Sequence, residues 1–378
     1  MSIIVTSPSF FFDNGNPLVP VIQALAQLSQ KNPVYVVSNH AEPDWFDKCF
    51  AGSNVSFMRG YGRQSGNIID LITTTHHGAT SHDVMVLASN KVDLQMGKNG
   101  KALLIAAGWA QHPAITDLGI KVSSAQELVD MIDIATAWTG KWWFSGSGGT
   151  YDIKALSDLS GFYQSAAQTQ FAKDLTDTVK NGGAKLNALL AITSRSLLKD
   201  GVENVGDLVW GVYPSSSSNN LDDEILSDFT HRVRTSVSRV RYAKRGEPLF
   251  IRHTHSVKRS QSPSSNRFDP SNQVMTLHLN PFYKTKGRLK GKNVYIIDDC
   301  TTYGASFGVA SAFLKAAGAA SVTGIALGKF GNQLHEFNIS INSDPFQPVP
   351  HDEFSFTQPQ ILNGTNHPGN QEQLRSIL

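Results

Sequence analysis

The chain has 378 residues, 40% of them hydrophobic and 17% charged, with a formal net charge of +2. That length suggests two or three domains; the composition sustains ordinary buried cores and excludes intrinsic disorder, and the near-neutral balance supplies no global field for nucleic acid. The two cysteines, Cys49 and Cys300, fit neither a disulfide framework nor a zinc-ligand spacing, so a reducing cytoplasm is the expected compartment.

In chain order, the opening MSIIVTSPSFFF lacks the basic region of a signal peptide. No apolar run approaches the ~18 residues of a membrane span, so no membrane partner is expected. Ile3 to Thr6 reads as a buried strand, VIQALAQL (Val21 to Leu28) as an amphipathic helix, and VYVVSN, VMVLASN and KALLIAAGW as further strands. This alternation predicts an α/β domain with a mostly parallel sheet over residues 1–150, closing near the Gly-rich Ser145–Tyr151. A helical connector is expected over 151–204. A second α/β block follows over 205–335, from LVWGVYPSSSSNN through VYIIDDCTTYGAS to SVTGIALGKFG. The tail, 336–378, is rich in Pro, Asn and Gln and reads as irregular. The fold class is therefore α/β, with two doubly wound, mostly parallel-sheet domains joined by helices.

The stretch VYIIDDCTTYGAS carries the chemistry. An apolar strand ends in two adjacent acids, Asp298 and Asp299, and a small-residue turn leads into the helical pattern FGVASAFLKAAGA. Adjacent carboxylates repel and raise each other's pKa unless something answers them. A strand, a small-residue loop and a helix start make an anion site, with free N–H groups and a favourable dipole. Gly304 lets the backbone approach a ligand, and Thr302 and Ser306 add hydroxyl donors. The acids suit ribose hydroxyls or a metal shell. The plain alternative is an exposed turn with solvated Asp residues.

This pattern resembles the phosphoribosyl pyrophosphate (PRPP) loop of type I phosphoribosyltransferases, over roughly 205–332 and most closely the competence-associated members. The resemblance implies that Asp298 and Asp299 hold the ribose 2- and 3-hydroxyls. Thr301, Thr302, Tyr303, Gly304, Ala305 and Ser306 would wrap the 5-phosphate. Tyr303 stands where many members have Thr. Ser215, Ser216 and Ser217 match the pyrophosphate loop, a reading that competes evenly with an ordinary flexible loop. Arg252, Lys258 and Arg259 lie where the family's hood closes, and the resemblance implies that all three neutralise the diphosphate, Lys258 and Arg259 as the catalytic pair. Lys329 and Phe330 sit where the family contacts its acceptor base. Mg²⁺ bound with PRPP is the implied cofactor, and no protein-only metal site is expected. Thr302 replaces the Asp that purine-salvage members often carry, which disfavours 6-oxopurine acceptors.

The first block resembles the haloacid-dehalogenase-like (HAD) phosphatase fold, a Rossmann-like frame whose first strand delivers Asp-x-Asp. Here Ser7 and Ser9 stand in that place. Ser38, followed by Asn39, matches the second motif, Arg63 the cationic third, and Ser89 and Asp93 the last, where only Asp93 keeps its acid. A serine without a base is a poor nucleophile, and the lost acids remove most of a metal's hard oxygen charge. The resemblance therefore implies an inactive phosphatase frame. Another register makes Asp13 the acid, although FDNGNPLVP reads better as the link to the following helix.

The basic stretch from His231 to Arg259 reads mainly as a solvated helix face, with Val233, Val237 and Val240 at core spacing; nucleic acid is the less favoured reading. Trp138, Trp142 and Trp143 read as core. His76-His77 and His253-x-His255 make no convincing metal set. Two functions follow. The first is an Mg²⁺-dependent transfer of phosphoribosyl from PRPP to an unidentified base or nucleotide-like acceptor. The second is a non-catalytic module that senses PRPP or a nucleotide within a larger assembly. A small-molecule phosphoribosyl donor is the expected partner, and a homo-oligomer is compatible with either.

Overall fold

The computed structural model describes every residue except 1, 162–163, 184, 238–244, 257–265 and 332. The chain divides into two compact units. The first comprises Met1–Gly140, Asn187–Asn204 and Arg232–Arg239, the second Lys141–Leu186, Val205–His231 and Val240–Leu378. Among the described residues no helix is long and apolar enough to cross a membrane.

In unit 1, six strands form one parallel sheet: β1 (Ile3–Thr6), β2 (Val34–Ser38), β3 (Val55–Arg59), β4 (Val84–Ala88), β5 (Leu103–Ala107) and β6 (Lys121–Val122). Their order is β3-β2-β1-β4-β5-β6. A parallel sheet covered on both faces needs apolar side chains on both faces, and β1, β4 and β5 are buried at every position. Register is fixed by this demand: Val5 lies between Tyr35 and Val86. Ile3, Val5, Val86 and Leu104 pack with Ile69 and Ile72 of α2 (Asn67–Thr74), which follows the short helix α1 (Pro8–Phe11) in our numbering. The strand order reverses between β1 and β4. That is the place where doubly wound sheets open a crevice at the carboxyl ends of their strands.

In unit 2 the sheet is mixed. Its strands are β7 (Phe144–Ser147), β8 (Asp152–Asp158), β9 (Leu208–Val212), β12 (Asn293–Thr301), β13 (Ser321–Lys329) and β14 (Gly364–Asn366), with a separate antiparallel pair, β10 (Phe250–Arg252) and β11 (Leu277–Leu279). The order is β9-β12-β13-β8-β7-β14, the first four parallel and β7 antiparallel to both its neighbours, β8 and β14. In register, Val212 faces Ile297, and Lys329 lies between Thr301 and Asp158. The loops after β8, β9, β12 and β13 therefore share one edge of the sheet.

Two expectations meet a different structure. Residues 141–151 belong to the second unit, and the region expected to begin as a helical connector opens with β8, a strand inside the second sheet. Asp152, Lys154, Ser157 and Asp158 hide the strand's period. Pairing across both edges, Ile153 to Gly324 on one side and to Gly146 on the other, decides it. A helix does follow, α4 (Ala166–Asn181), numbered after α3 (Lys91–Asn99) of unit 1; it packs on β12 and β13. The tail is also more ordered than its composition suggests. It contributes β14 and ends in a helix, Pro368–Ile377, whose Leu374 is fully buried.

Helix α5 (Ala305–Ala316) follows β12 and packs Phe307, Val309, Ala310 and Phe313 into the core beside Val294 and Ile296. Each large apolar side chain so buried contributes about 1.5–3 kcal/mol. Trp138, Trp142 and Trp143 are buried, in agreement with their reading as core.

Candidate functional sites

In unit 2 the loop between β12 and α5 is built from backbone contacts. The N–H of Gly304 donates to Thr301 Oγ1 at 3.1 Å, which closes the turn. Thr301 O accepts from Phe330 N at 2.8 Å, and Tyr303 O accepts from His335 N at 2.9 Å. Gly304 is the helix N-cap with φ of 90°, and a Cβ there would stand 3.0 Å from His335 O. Left-handed backbone and close approach both call for glycine at this position. Ala305 and Ser306 then occupy the first helical turn, whose N–H groups have no acceptor within the helix.

The acid pair stands just below. Asp298 is buried; its Oδ2 accepts from Ser306 Oγ at 2.7 Å and its Oδ1 from Asp299 N at 2.9 Å. Burial, and next the Asp299 charge, push the Asp298 carboxyl well above the usual carboxylate range, while the Ser306 hydroxyl pulls the other way. Cys300 N in turn donates to Asp299 Oδ1. The Cys300 thiol is pushed up by burial and by both acids, against the opposing pull of Lys180 and Thr176 on α4. It is therefore an inert thiol at neutral pH.

The neighbouring loops are equally specific. Ser215 and Ser217 are exposed, and Ser215 Oγ donates to Glu224 Oε1 at 3.2 Å. Arg252 lies beneath this loop with 4% exposure. Its guanidinium donates to Pro214 O, Ser215 O and Thr276 Oγ1, and its backbone pairs with the Asn220 amide. The resemblance implies that Arg252 neutralises the diphosphate; instead it shapes the serine loop, because its buried donors are taken up by oxygens of the protein itself. Ser216 O accepts from Ser256 N at 3.0 Å. Lys258 and Arg259 lie outside the described residues.

Lys329 is 1% exposed, donates from Nζ to Gly331 O, and places its ammonium 5.3 Å from the Trp143 ring centre. Burial pulls its pKa down to about 8, partly opposed by Asp158. Asp158 is held by Gln371, whose amide accepts from Asp158 N at 2.8 Å and donates to Asp158 O at 2.9 Å. Sequence reasoning missed Asp158, Gln371 and Trp143 as neighbours of Lys329. No spacing connects them; only adjacent strands and the returning C-terminal helix do.

In unit 1, Ser7, Ser9, Arg63, Ser89 and Asp93 converge at the reversal point of the sheet. Ser7 Oγ donates to Asp93 Oδ2 at 2.9 Å and lies 2.9 Å from Ser9 Oγ. Ser89 N donates to the same Asp93 oxygen at 3.1 Å, and Ser89 Oγ donates to Ser9 Oγ at 2.9 Å. Arg63 Nη1 donates to Asp93 Oδ1. Asn90, the N-cap of α3, adds its side-chain amide to Ser9 Oγ. Asp93, 0% exposed, thus has both oxygens engaged and its charge answered by Arg63. Asn39 reaches this group only through Arg63 N, at 3.4 Å, and Ser38 serves the local turn by accepting from His40 N. Asp13 lies exposed on a hairpin after α1, bonded to Asn14.

Among the described residues no group of three or more His, Cys, Asp or Glu is placed to hold a metal ion. Comparisons with protein-family models, curated proteins and solved structures returned no match.

Proposed function

We propose that unit 2 is a type I phosphoribosyltransferase-like module that binds PRPP with Mg²⁺ and passes its phosphoribosyl group to a base or nucleotide-like acceptor. The carrying observation is the buried Asp298 carboxyl adjacent to Asp299, bonded to Ser306 at the Gly304-capped start of α5. A buried charge beside a like charge is costly. A ligand that donates hydroxyls to both carboxylates answers that cost, and the helix start answers its phosphate. The location supports the same reading, because ligands of α/β sheets sit outside the carboxyl ends of parallel strands.

In this reading Asp298 and Asp299 orient the ribose through its hydroxyls. Thr302 and the first N–H groups of α5, that of Ser306 among them, hold the 5-phosphate, while the Ser306 hydroxyl stays on Asp298. Exposed Ser217, and Ser215 once its hydroxyl leaves Glu224, donate to the diphosphate, on a loop that Arg252 holds in shape. Lys258 and Arg259 balance charge on the departing diphosphate. Lys329, still mainly a cation at physiological pH but with its pKa drawn down to about 8, lies beside the acceptor side with Phe330. Mg²⁺, which favours a few carboxylate oxygens completed by phosphates and water, fits the two acids and would neutralise diphosphate charge.

We further propose that unit 1 is a HAD-like frame that does not hydrolyse phosphomonoesters. Its single retained acid, Asp93, is neutralised by Arg63, which leaves neither a carboxylate nucleophile nor a metal shell. That observation favours a second reading for the whole chain, a PRPP- or nucleotide-sensing effector. Calorimetric titration of PRPP with Mg²⁺, followed by a diphosphate-release screen over candidate bases, separates the two. Binding with release supports the transferase, binding without release supports the sensor, and no binding refutes both.

A further inference from the structure

Tyr303 interrupts an otherwise small-residue loop, and its ring belongs to a cluster. It packs against His335, with ring centres 5.7 Å apart, and against Phe268 at 5.3 Å; Phe268 meets His335 edge-on at 4.9 Å. The three come from distant segments, and the His335 N to Tyr303 O bond ties two of them together.

Two features set the cluster apart from core packing. Phe268 is 40% exposed, although large aromatics normally bury their faces. His335 is 8% exposed, and its Nδ1 is buried with no hydrogen-bond partner among the described residues. Buried polar atoms are almost always paired, so an orphaned ring nitrogen calls for a partner the protein does not supply. Burial also lowers the His335 pKa, which keeps the ring neutral at physiological pH and able to offer either a donor or an acceptor. A part-exposed ring beside a buried, unpaired ring nitrogen suits a planar heterocycle, which stacks on the one and, by displacing the cover over His335, bonds to the other.

The position of the cluster decides which part of a ligand it meets. Tyr303 immediately precedes the N-cap of α5, so the rings stand at the phosphate end of the loop. The acids that would take the ribose hydroxyls lie farther back, on β12.

We propose that the loop accepts a ribose phosphate whose phosphate carries an aromatic base through a further linkage, as in the nucleoside diphosphate riboses, with the base stacked on Phe268 and its edge turned to His335. This inference rests on the reading that the Asp298–Ser306 loop binds ribose phosphates, and it adds a ligand class.

The test is calorimetry on the full chain with ADP-ribose, ribose 5-phosphate, PRPP and free adenine. Wild-type protein is expected to bind ADP-ribose at least ten-fold more tightly than ribose 5-phosphate. Phe268→Ala should lower ADP-ribose affinity by about five- to a hundred-fold, the range of base–aromatic stacking, and leave ribose 5-phosphate binding unchanged. Phe268→Trp should restore the preference. Equal affinity for ADP-ribose and ribose 5-phosphate, or a preference that survives Phe268→Ala, overturns the inference while PRPP binding still stands. Adenine that binds as tightly in the presence of ribose 5-phosphate as ADP-ribose does alone overturns the tethered arrangement. Failure of all the phosphorylated ligands to bind removes both this inference and the function on which it rests.

Discussion

Asp298→Asn should make the protein more stable and a poorer ligand binder. Asn has the same shape and preserves the local bonds: its oxygen still accepts from Asp299 N, and the Ser306 hydroxyl rotates to accept from the new amide. What disappears is a desolvated negative charge beside Asp299. Two unit charges about 4 Å apart interact by about 4 kcal/mol at an effective dielectric of 20 and by about 1 kcal/mol in water, which brackets the expected gain. For a domain of 150–250 residues each kcal/mol moves the melting temperature by about 2–4 °C, so a rise of at least about 2 °C is expected at pH 8. The sign follows from linkage. The folded-state pKa of Asp298 is raised above its unfolded value of about 3.9. The native state therefore holds the proton more tightly, and wild-type stability falls as pH rises from about 4 through that raised pKa. The gain from Asp298→Asn should be largest at pH 8 and close toward pH 4, where the wild-type carboxyl is itself protonated. Scanning calorimetry at both values, with PRPP titrations alongside, measures both effects. A lower melting temperature at pH 8, or an equal gain at pH 4 and pH 8, would refute the argument that repulsion is stored in this pair.

Asp298→Asn combined with Asp299→Asn should weaken PRPP binding, each lost charge-assisted hydrogen bond being worth about 1.5–3 kcal/mol; unchanged affinity in a folded double variant sinks the assignment. Lys258→Ala with Arg259→Ala should reduce phosphoribosyl transfer more than ribose 5-phosphate binding, whereas intact transfer with lost DNA or RNA affinity would reassign this segment to nucleic acid. Wild-type protein should show no phosphomonoesterase activity with Mg²⁺, and turnover that vanishes in Asp13→Asn would show that the acid lies in the other register. Arg63→Ala should destabilise unit 1 by about 3–5 kcal/mol, because it leaves Asp93 buried and unpaired; unfolding by urea measures this, and an unchanged midpoint contradicts it. Lys329 should titrate near 8 by NMR of the ¹³C-dimethylated side chain, and since its folded pKa is depressed, its contribution should raise stability as pH climbs from about 8 toward the unfolded value of about 10.4.

Sequence alone determined the features that depend on neighbours along the chain. Runs such as Ile3–Thr6, Val84–Ala88 and Asn293–Thr301 are strands because uninterrupted or alternating apolar residues demand burial on a sheet. Gly304 after Thr302 and Tyr303 marks the turn into a helix, because the backbone conformation there suits only glycine. The grouping of Ser7, Ser9, Arg63, Ser89 and Asp93 was offered by the resemblance to a phosphatase frame rather than by local pattern, and the structure brings these five together while Ser38 and Asn39 stay at the margin. Tertiary structure alone decided what depends on pairing between distant segments. Asp152–Asp158 became a strand of the second sheet because Ser321–Lys329 offered it a complete ladder, overriding a local pattern that reads as helix. Arg252 turned inward because two carbonyl oxygens of the serine loop and the Thr276 hydroxyl match its guanidinium. Tyr303, Phe268 and His335 became one aromatic cluster, and Lys329 a buried cation beside Asp158, because folding removes water from side chains that no spacing in the sequence brings together.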